Sequence, residues 1–238
     1  MKFTQERLRD LYLKDLNEPD TFHGRTRPKA RNIRPWKAIR STYAEGIAEY
    51  PLDPISDPKR IFVWSDIHFG HKNIIKYTGR PFINADAMNE GLISAYKANV
   101  TDGDIVIFGG DIGFMKVPAI NAILDDLPGY KILIYGNHDI DRRGGLYDLH
   151  FDERHLCKVI DITDGQLEYQ LLFTHYPLDP KNVPVGCYNI HGHIHDNLIP
   201  GTQHINICVE HTAYKPVLIW DHVIARTHAH ERQRLRLT

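Results

Sequence analysis

Five times along the chain a short apolar run breaks off at a glycine, a carboxylate or an imidazole. Ile61-Phe62-Val63-Trp64 leads into Asp66 and His68, Asp104-Ile105-Val106-Ile107-Phe108 into Gly109-Gly110-Asp111, and Lys131-Ile132-Leu133-Ile134-Tyr135 into Gly136-Asn137-His138-Asp139. Later, Gln170-Leu171-Leu172-Phe173 precedes Thr174-His175, and Cys187-Tyr188-Asn189-Ile190 precedes His191-Gly192-His193-Ile194-His195. Runs of this kind read as buried strands. Between the first three, apolar residues fall at helical spacing. Asn84 is the N-cap of a helix with Met88, Leu92 and Tyr96 on one face. Pro118 suits the first turn of a second helix, bearing Ile120, Ile123, Leu124 and Leu127 and ended by Pro128-Gly129. Strand alternating with helix predicts a parallel sheet with right-handed crossovers.

The pattern changes after residue 155. Leu156 to Ile162 and Leu167 to Phe173, joined by Thr163-Asp164-Gly165, predict a hairpin. Further short strands are expected at Tyr188 to Ile190, His204 to Val209 and Pro216 to Trp220. A final helix from about Asp221 to Leu237 carries Arg226, Arg232, Arg234 and Arg236 on a solvated face. The second half is mostly β, so two packed sheets with helices outside accommodate both halves. At the other end, Leu8, Leu11, Leu13 and Leu16 predict a short amphipathic helix. Pro19, Gly24, Pro28, Pro35, Pro51, Pro54 and Pro58 then interrupt the chain. Residues 1–58 read as an N-terminal extension, and 59–238 as the main domain.

Composition adds three points. Hydrophobic residues at 42% and charged residues at 25% of the 238 are ordinary for a folded globular chain and exclude wholesale disorder. No apolar stretch is long enough to span a bilayer, the first residues lack a signal-peptide core, and Cys157, Cys187 and Cys208 are odd in number and widely spaced. A cytoplasmic protein with reduced core cysteines and no membrane association is expected. The net charge of −1 hides a basic run, Arg25, Arg27, Lys29, Arg31, Arg34, Lys37 and Arg40, with no acidic residue between 25 and 40. This run is either a solvated arm or a nucleic-acid contact, with Trp36 and Tyr43 near enough to stack on a base.

The carboxyl ends of strands in an open α/β sheet share an edge, so residues following several strands can converge there. The set that would converge is oxygen and imidazole donors without thiolate, which suits Mn, Fe or Zn and is large enough for two ions. Two ions need a bridging ligand, and Asp111 among its glycines is the candidate. Asn137 offers a neutral oxygen, and His193 and His195 two different aims if they lie in a turn. His138 is left to reach a substrate.

In this order the motifs resemble those of the calcineurin-like binuclear metallophosphoesterases: Asp-x-His at Asp66 and His68, Gly-Asp at Asp111, Gly-Asn-His-Asp at 136–139, His175, and Gly-His-x-His at 192–195. The resemblance spans roughly residues 60 to 220. It implies a four-layer α/β/β/α sandwich of two mixed sheets, with residues 59–238 as the catalytic domain. It assigns Asp66, His68, Asp111 and His195 to one divalent ion, and Asp111, Asn137, His175 and His193 to a second. Mn is expected first, with Fe or Zn as alternatives. His138 would steady the leaving group while a metal-bridging hydroxide attacks phosphorus. Asp111 is followed by Ile112-Gly113-Phe114 rather than Asp-Arg-Gly, and position 139 is Asp, which argues against a protein phosphatase. Small bacterial and phage phosphoesterases are similar also at Asp66 to His71 and Val209 to Pro216. The expected substrate is a nucleotide-type phosphodiester. A nucleotide phosphomonoesterase, a nuclease using residues 25–40, and a non-hydrolytic scaffold of the same fold are the alternatives. His71, Lys72, Arg142 and Arg143 are candidate phosphate contacts.

Overall fold

The computed structural model describes residues 2–16, 60–141, 144–163 and 167–235. Arg142, Arg143, the basic run with Trp36 and Tyr43, and the hairpin turn at 164–165 lie outside them.

Two sheets form from the predicted runs. Strands β1 (Ile61–Trp64), β2 (Ile105–Phe108), β3 (Tyr130–Ile134) and β4 (Glu153–His155) are parallel neighbours. The second sheet has order β5 (Cys157–Thr163), β6 (Glu168–Thr174), β7 (Cys187–His191), β8 (His204–Asn206), with β5 and β6 an antiparallel hairpin and the rest parallel. The last strand, β9 (Val217–Leu218), returns to the first sheet and pairs antiparallel with β1. Both sheets are therefore mixed.

Alternation along the strands divides the apolar residues between cores. Phe62, Trp64, Val106, Phe108 and Leu133 face the helices α3 (Ala85–Asn99) and α4 (Val117–Asp125), whose Met88, Leu92, Tyr96, Ile120 and Leu124 are buried against them. Ile61, Val63, Ile107, Ile132 and Ile134 point the other way and pack with Leu171, Phe173, Tyr188, Ile190 and Ile205 of the second sheet. A third core lies on the far side of that second sheet, where Leu8 and Tyr12 of α1 (Gln5–Asp15) meet Cys157, Leu172 and Cys187. The helix expected in the N-terminal extension is thus part of a core. Gln5 also completes the edge of β5, its side-chain amide donating to Cys157 O and accepting from Val159 N at 2.7 and 2.8 Å.

The N-cap at Asn84 forms as expected, its side chain accepting from Ala87 N at 2.8 Å. Elsewhere the boundaries move. The α4 helix stops at Asp125, short of Pro128, because Leu127 turns back into the core and Gly129 takes φ +91°. β8 stops at Asn206 because Cys208 bridges across to Ser65. One π-helical turn, Trp220–Ile224, precedes the last helix α5 (Ala225–Arg234). The four-residue α2 (Ile74–Tyr77) and the polar edge strand β4 carry no apolar period and were not expected. No helix among the described residues is long and apolar enough to cross a membrane.

Candidate metal centre

Strand pairing continues past the strand ends into the motif loops. Asp66 N donates to Gly110 O and His68 N to Asp111 O, both at 3.0 Å, so the loops after β1 and β2 stay zipped together. Gly192 N donates to His175 O at 3.0 Å, joining the loops after β6 and β7, and Val209 N donates to Ser65 O at 3.0 Å, joining the two sheets. Four of the motif loops meet along one shared edge as a result, and the loop after β3 joins them through Asp139, whose Oδ2 accepts from Asp111 N at 2.8 Å.

Two compact donor groups stand there, Asp66 with His68 and His195, and Asp111 with His175 and His193, the donor atoms of each within 4.8 Å of one another. Asp111 faces both. Its Oδ2 is 3.7 Å from His68 Nε2 and its Oδ1 is 3.5 Å from His175 Nε2. Asn137 Oδ1 is 3.1 Å from His175 Nε2, beside the second group. His175 Nδ1 donates to Gly109 O at 2.8 Å, which turns its Nε2 toward Asp111. His193 and His195 follow β7 in a turn and join different groups, as the sequence allows only off a regular strand.

The backbone is bent to achieve this. Asp66, His68, Asp111, His193 and His195 all take positive φ, between +49° and +70°, a region that non-glycine residues rarely enter. Close approach also excludes side chains: a Cβ at Gly136 would collide with the Asp111 carboxylate, and one at Gly192 with Asp66.

Hydrogen bonding leaves the inward atoms free. Asp66 Oδ2 accepts from Ser65 Oγ at 2.6 Å, His193 N at 2.9 Å and Cys208 Sγ at 3.2 Å. Its other oxygen, Oδ1, is buried with no hydrogen bond, as are both ring nitrogens of His68. That Oδ1 lies 3.8 Å from His68 Nε2 and 3.9 Å from His195 Nε2. Orphaned buried acceptors converging on one point are costly unless a cation sits among them. The donor set therefore fits divalent ions.

The electrostatics agree. Burial, reinforced by the negative charge of Asp66 and Asp139 and opposed by His175, raises the Asp111 carboxyl to about 7. Burial, with His195 and Arg80 adding to it, holds His68 well below the ordinary histidine range. Burial opposes protonation of His175, yet Asp111 and Asp66 outweigh it and raise that imidazole. Buried carboxylates crowded together, with His68 held neutral and His175 drawn toward protonation, form a site in which positive charge among the donors is favoured.

His138 stands over Asp111, its N–H donating to Asp111 Oδ1 at 2.8 Å and its Nε2 3.9 Å from Oδ2, with the side chain 42% exposed. Burial, with His175 and His71 nearby, lowers it to about 4. His71 lies beside the centre, stacked on Phe114 at 3.9 Å with its ring 5.4 Å from His68, whereas Lys72 is exposed. Phe114, 43% exposed, also packs on His138 at 4.3 Å. Five supporting residues had no assigned role at the site from sequence: Ser65, Arg80, Asp139, Cys208 and Glu210. Asp139 was legible as part of its motif. Arg80 carries no local signal, since its partners are remote in sequence.

Fold and site together define a mixed α/β protein of two sheets with a candidate metal centre at their common edge. No protein-family model matches the chain. It is 36% identical over 168 residues to the uncharacterized protein MJ1445 of Methanocaldococcus jannaschii, across 67% of this chain and 86% of that protein, and it belongs to that protein's family. Its structure is similar to that of AQ665 from Aquifex aeolicus, a protein of unknown function, with a TM-score of 0.50 and 27% identity over 66% of this chain and 94% of that one.

Proposed function

We propose that the chain is a binuclear-metal phosphoesterase of the calcineurin-like type, a four-layer α/β/β/α sandwich that hydrolyses a nucleotide-type phosphodiester. The observation that carries this reading is Asp111, a buried carboxylate with one oxygen toward His68 and the other toward His175, between two separate donor groups. A bridging ligand is what distinguishes a two-ion site from two unrelated ones.

Asp66, His68, Asp111 and His195 would hold one ion, and Asp111, Asn137, His175 and His193 the other, with Mn as first choice and Fe or Zn compatible with the same donors. Two such ions supply a water nucleophile near neutral pH and neutralise charge on the phosphoryl oxygens. The chain's own contribution is to hold the donors and to contact the substrate. His138, exposed above Asp111, would donate a hydrogen bond to the phosphoryl or leaving oxygen. The aromatic ring of Phe114 between His71 and His138 would keep water from that side. The three cysteines are buried and outside any disulfide, which suits a reducing compartment.

The test is hydrolysis of bis-para-nitrophenyl phosphate beside para-nitrophenyl phosphate with added Mn, for wild type, Asp111→Asn and His138→Gln. Diester turnover lost in both variants is the expected result. Turnover that survives Asp111→Asn would remove the reading.

A further inference from the structure

A third group of possible metal donors, His195, Cys208 and Glu210, lies behind the first, its donor atoms within 4.8 Å of one another. It already has a cation. Arg80, whose side chain is wholly buried, sets Nη2 2.9 Å and Nε 3.0 Å from Glu210 Oε1. A guanidinium neutralising the carboxylate removes the attraction a further metal ion would need.

Arg80 does more than neutralise. Its Nη1 donates to Ile67 O and its Nη2 to Asp66 O, both at 2.7 Å. These carbonyls belong to the strained turn that presents Asp66 and His68, both at positive φ. Glu210 Oε1 in turn lies 3.4 Å from His195 Nδ1, on the side of the ring away from Asp66. One guanidinium thus spans all three donors of the first group: two through their backbone turn, the third through a carboxylate. Imidazole ligands are commonly oriented by a carboxylate on the far ring nitrogen, and the planar fork of arginine reaches several acceptors at once where lysine cannot.

We propose that Arg80 and Glu210 are positioning residues for the first ion alone, fixing the Asp66–His68 turn and the His195 ring as one unit, and that the His195–Cys208–Glu210 group is not a metal site. The proposal rests on the metal-centre reading above. It adds that the two ions depend on different supports, because among the described residues the side-chain hydrogen bonds and ion pairs of Arg80 and Glu210 run to each other, Asp66, Ile67, Met88 and His195, and not to His175 or His193.

The experiment is calorimetric titration of the apo-protein with Mn²⁺, followed in parallel by electron paramagnetic resonance, which separates a coupled ion pair from isolated ions. Wild type is expected to bind two ions and show the coupled signal. Glu210→Gln is expected to bind one ion as wild type does and the other about 10- to 100-fold more weakly, with an isolated-ion signal at low loading. Arg80→Lys keeps the charge and is expected to show the same selective loss. A general loss of structure would instead weaken both ions together. Should Glu210→Gln fail to fold around an uncompensated Arg80, the double variant Arg80→Gln, Glu210→Gln removes both charges, and the same selective loss is expected.

Unchanged binding of both ions in Glu210→Gln, or full binding in Arg80→Lys, overturns the proposal and leaves the two-ion reading standing. A third ion in wild type that Cys208→Ser loses overturns it in favour of the inner metal site. Failure of wild type to bind any divalent ion would remove the metal centre and this proposal with it.

Discussion

Asp139 holds Asp111 by its backbone, accepting Asp111 N at 2.8 Å on Oδ2, and the same carboxylate takes Gly136 N at 2.8 Å and Ile112 N at 2.9 Å. One buried side chain thereby pins the loop after β2 to the loop after β3. An asparagine there keeps only one acceptor oxygen, so at least one buried N–H loses its partner. Asp139→Asn is expected to cost about 1–3 kcal/mol in denaturant unfolding and to weaken metal binding, since Asp111 is the residue displaced. Unfolding midpoints and Mn²⁺ titrations equal to wild type would show that the stitch has no consequence.

His138 touches Asp111 through its backbone and reaches outward with its ring, so its side chain can be changed without removing a donor from either group. His138→Gln is expected to lower kcat on the diester by about 10²- to 10⁴-fold while leaving metal content at the wild-type level. Loss of metal together with activity would make His138 a ligand instead.

Gly110 sits at φ +99°, where a Cβ would lie 2.5 Å from Gly136 N and 2.7 Å from Ile134 O. Both are backbone atoms and cannot turn aside. Gly110→Ala combines left-handed strain with overpacking, each about 1–3 kcal/mol, whereas Gly186→Ala, at φ +80° with nothing within 4 Å, carries only the strain. Thermal melts should place Gly110→Ala clearly below Gly186→Ala; equal melting temperatures would mean that the loops part freely.

The last helix is tied to the second sheet by Glu231, which accepts from Tyr188 Oη at 2.5 Å and from Arg234 Nε at 2.7 Å. Burial opposes its ionisation, but Arg234 and Tyr188 prevail and the carboxyl is lowered from its ordinary 4.5. A lowered carboxylate contributes stability that is present above the unfolded value and lost as pH falls through the folded one. Glu231→Gln should therefore be less stable than wild type at neutral pH, by about 1.5–3 kcal/mol. The gap should close as pH drops below about 4.5. A gap that is constant with pH would rule out the ionised carboxylate as its source.

Local physics made much of this molecule readable. The strands at 61–64 and 105–108, the Asn84 cap and the 157–174 hairpin depend on side-chain period, capping and turn chemistry, all of which act within a few residues. The two donor groups were legible for a related reason. A strand followed by a ligand fixes which end of the sheet that ligand occupies, so parallel order alone brings Asp66, Asp111 and Asn137 to one edge.

Other features have no local sign. The two-residue β9 belongs to the first sheet only because β1 offers it an edge, and Glu153-Arg154-His155 is a strand only because β3 does. The contact of Arg80 with Glu210 joins residues 130 apart, and that of Tyr12 Oη with Tyr176 N residues 164 apart. Which side chains become chemical donors was determined by the sequence, because ligand type and strand period are properties of the residues. Which supports hold them was decided by the tertiary structure, because a buried polar group must find its partner wherever the packed chain brings one within hydrogen-bonding distance.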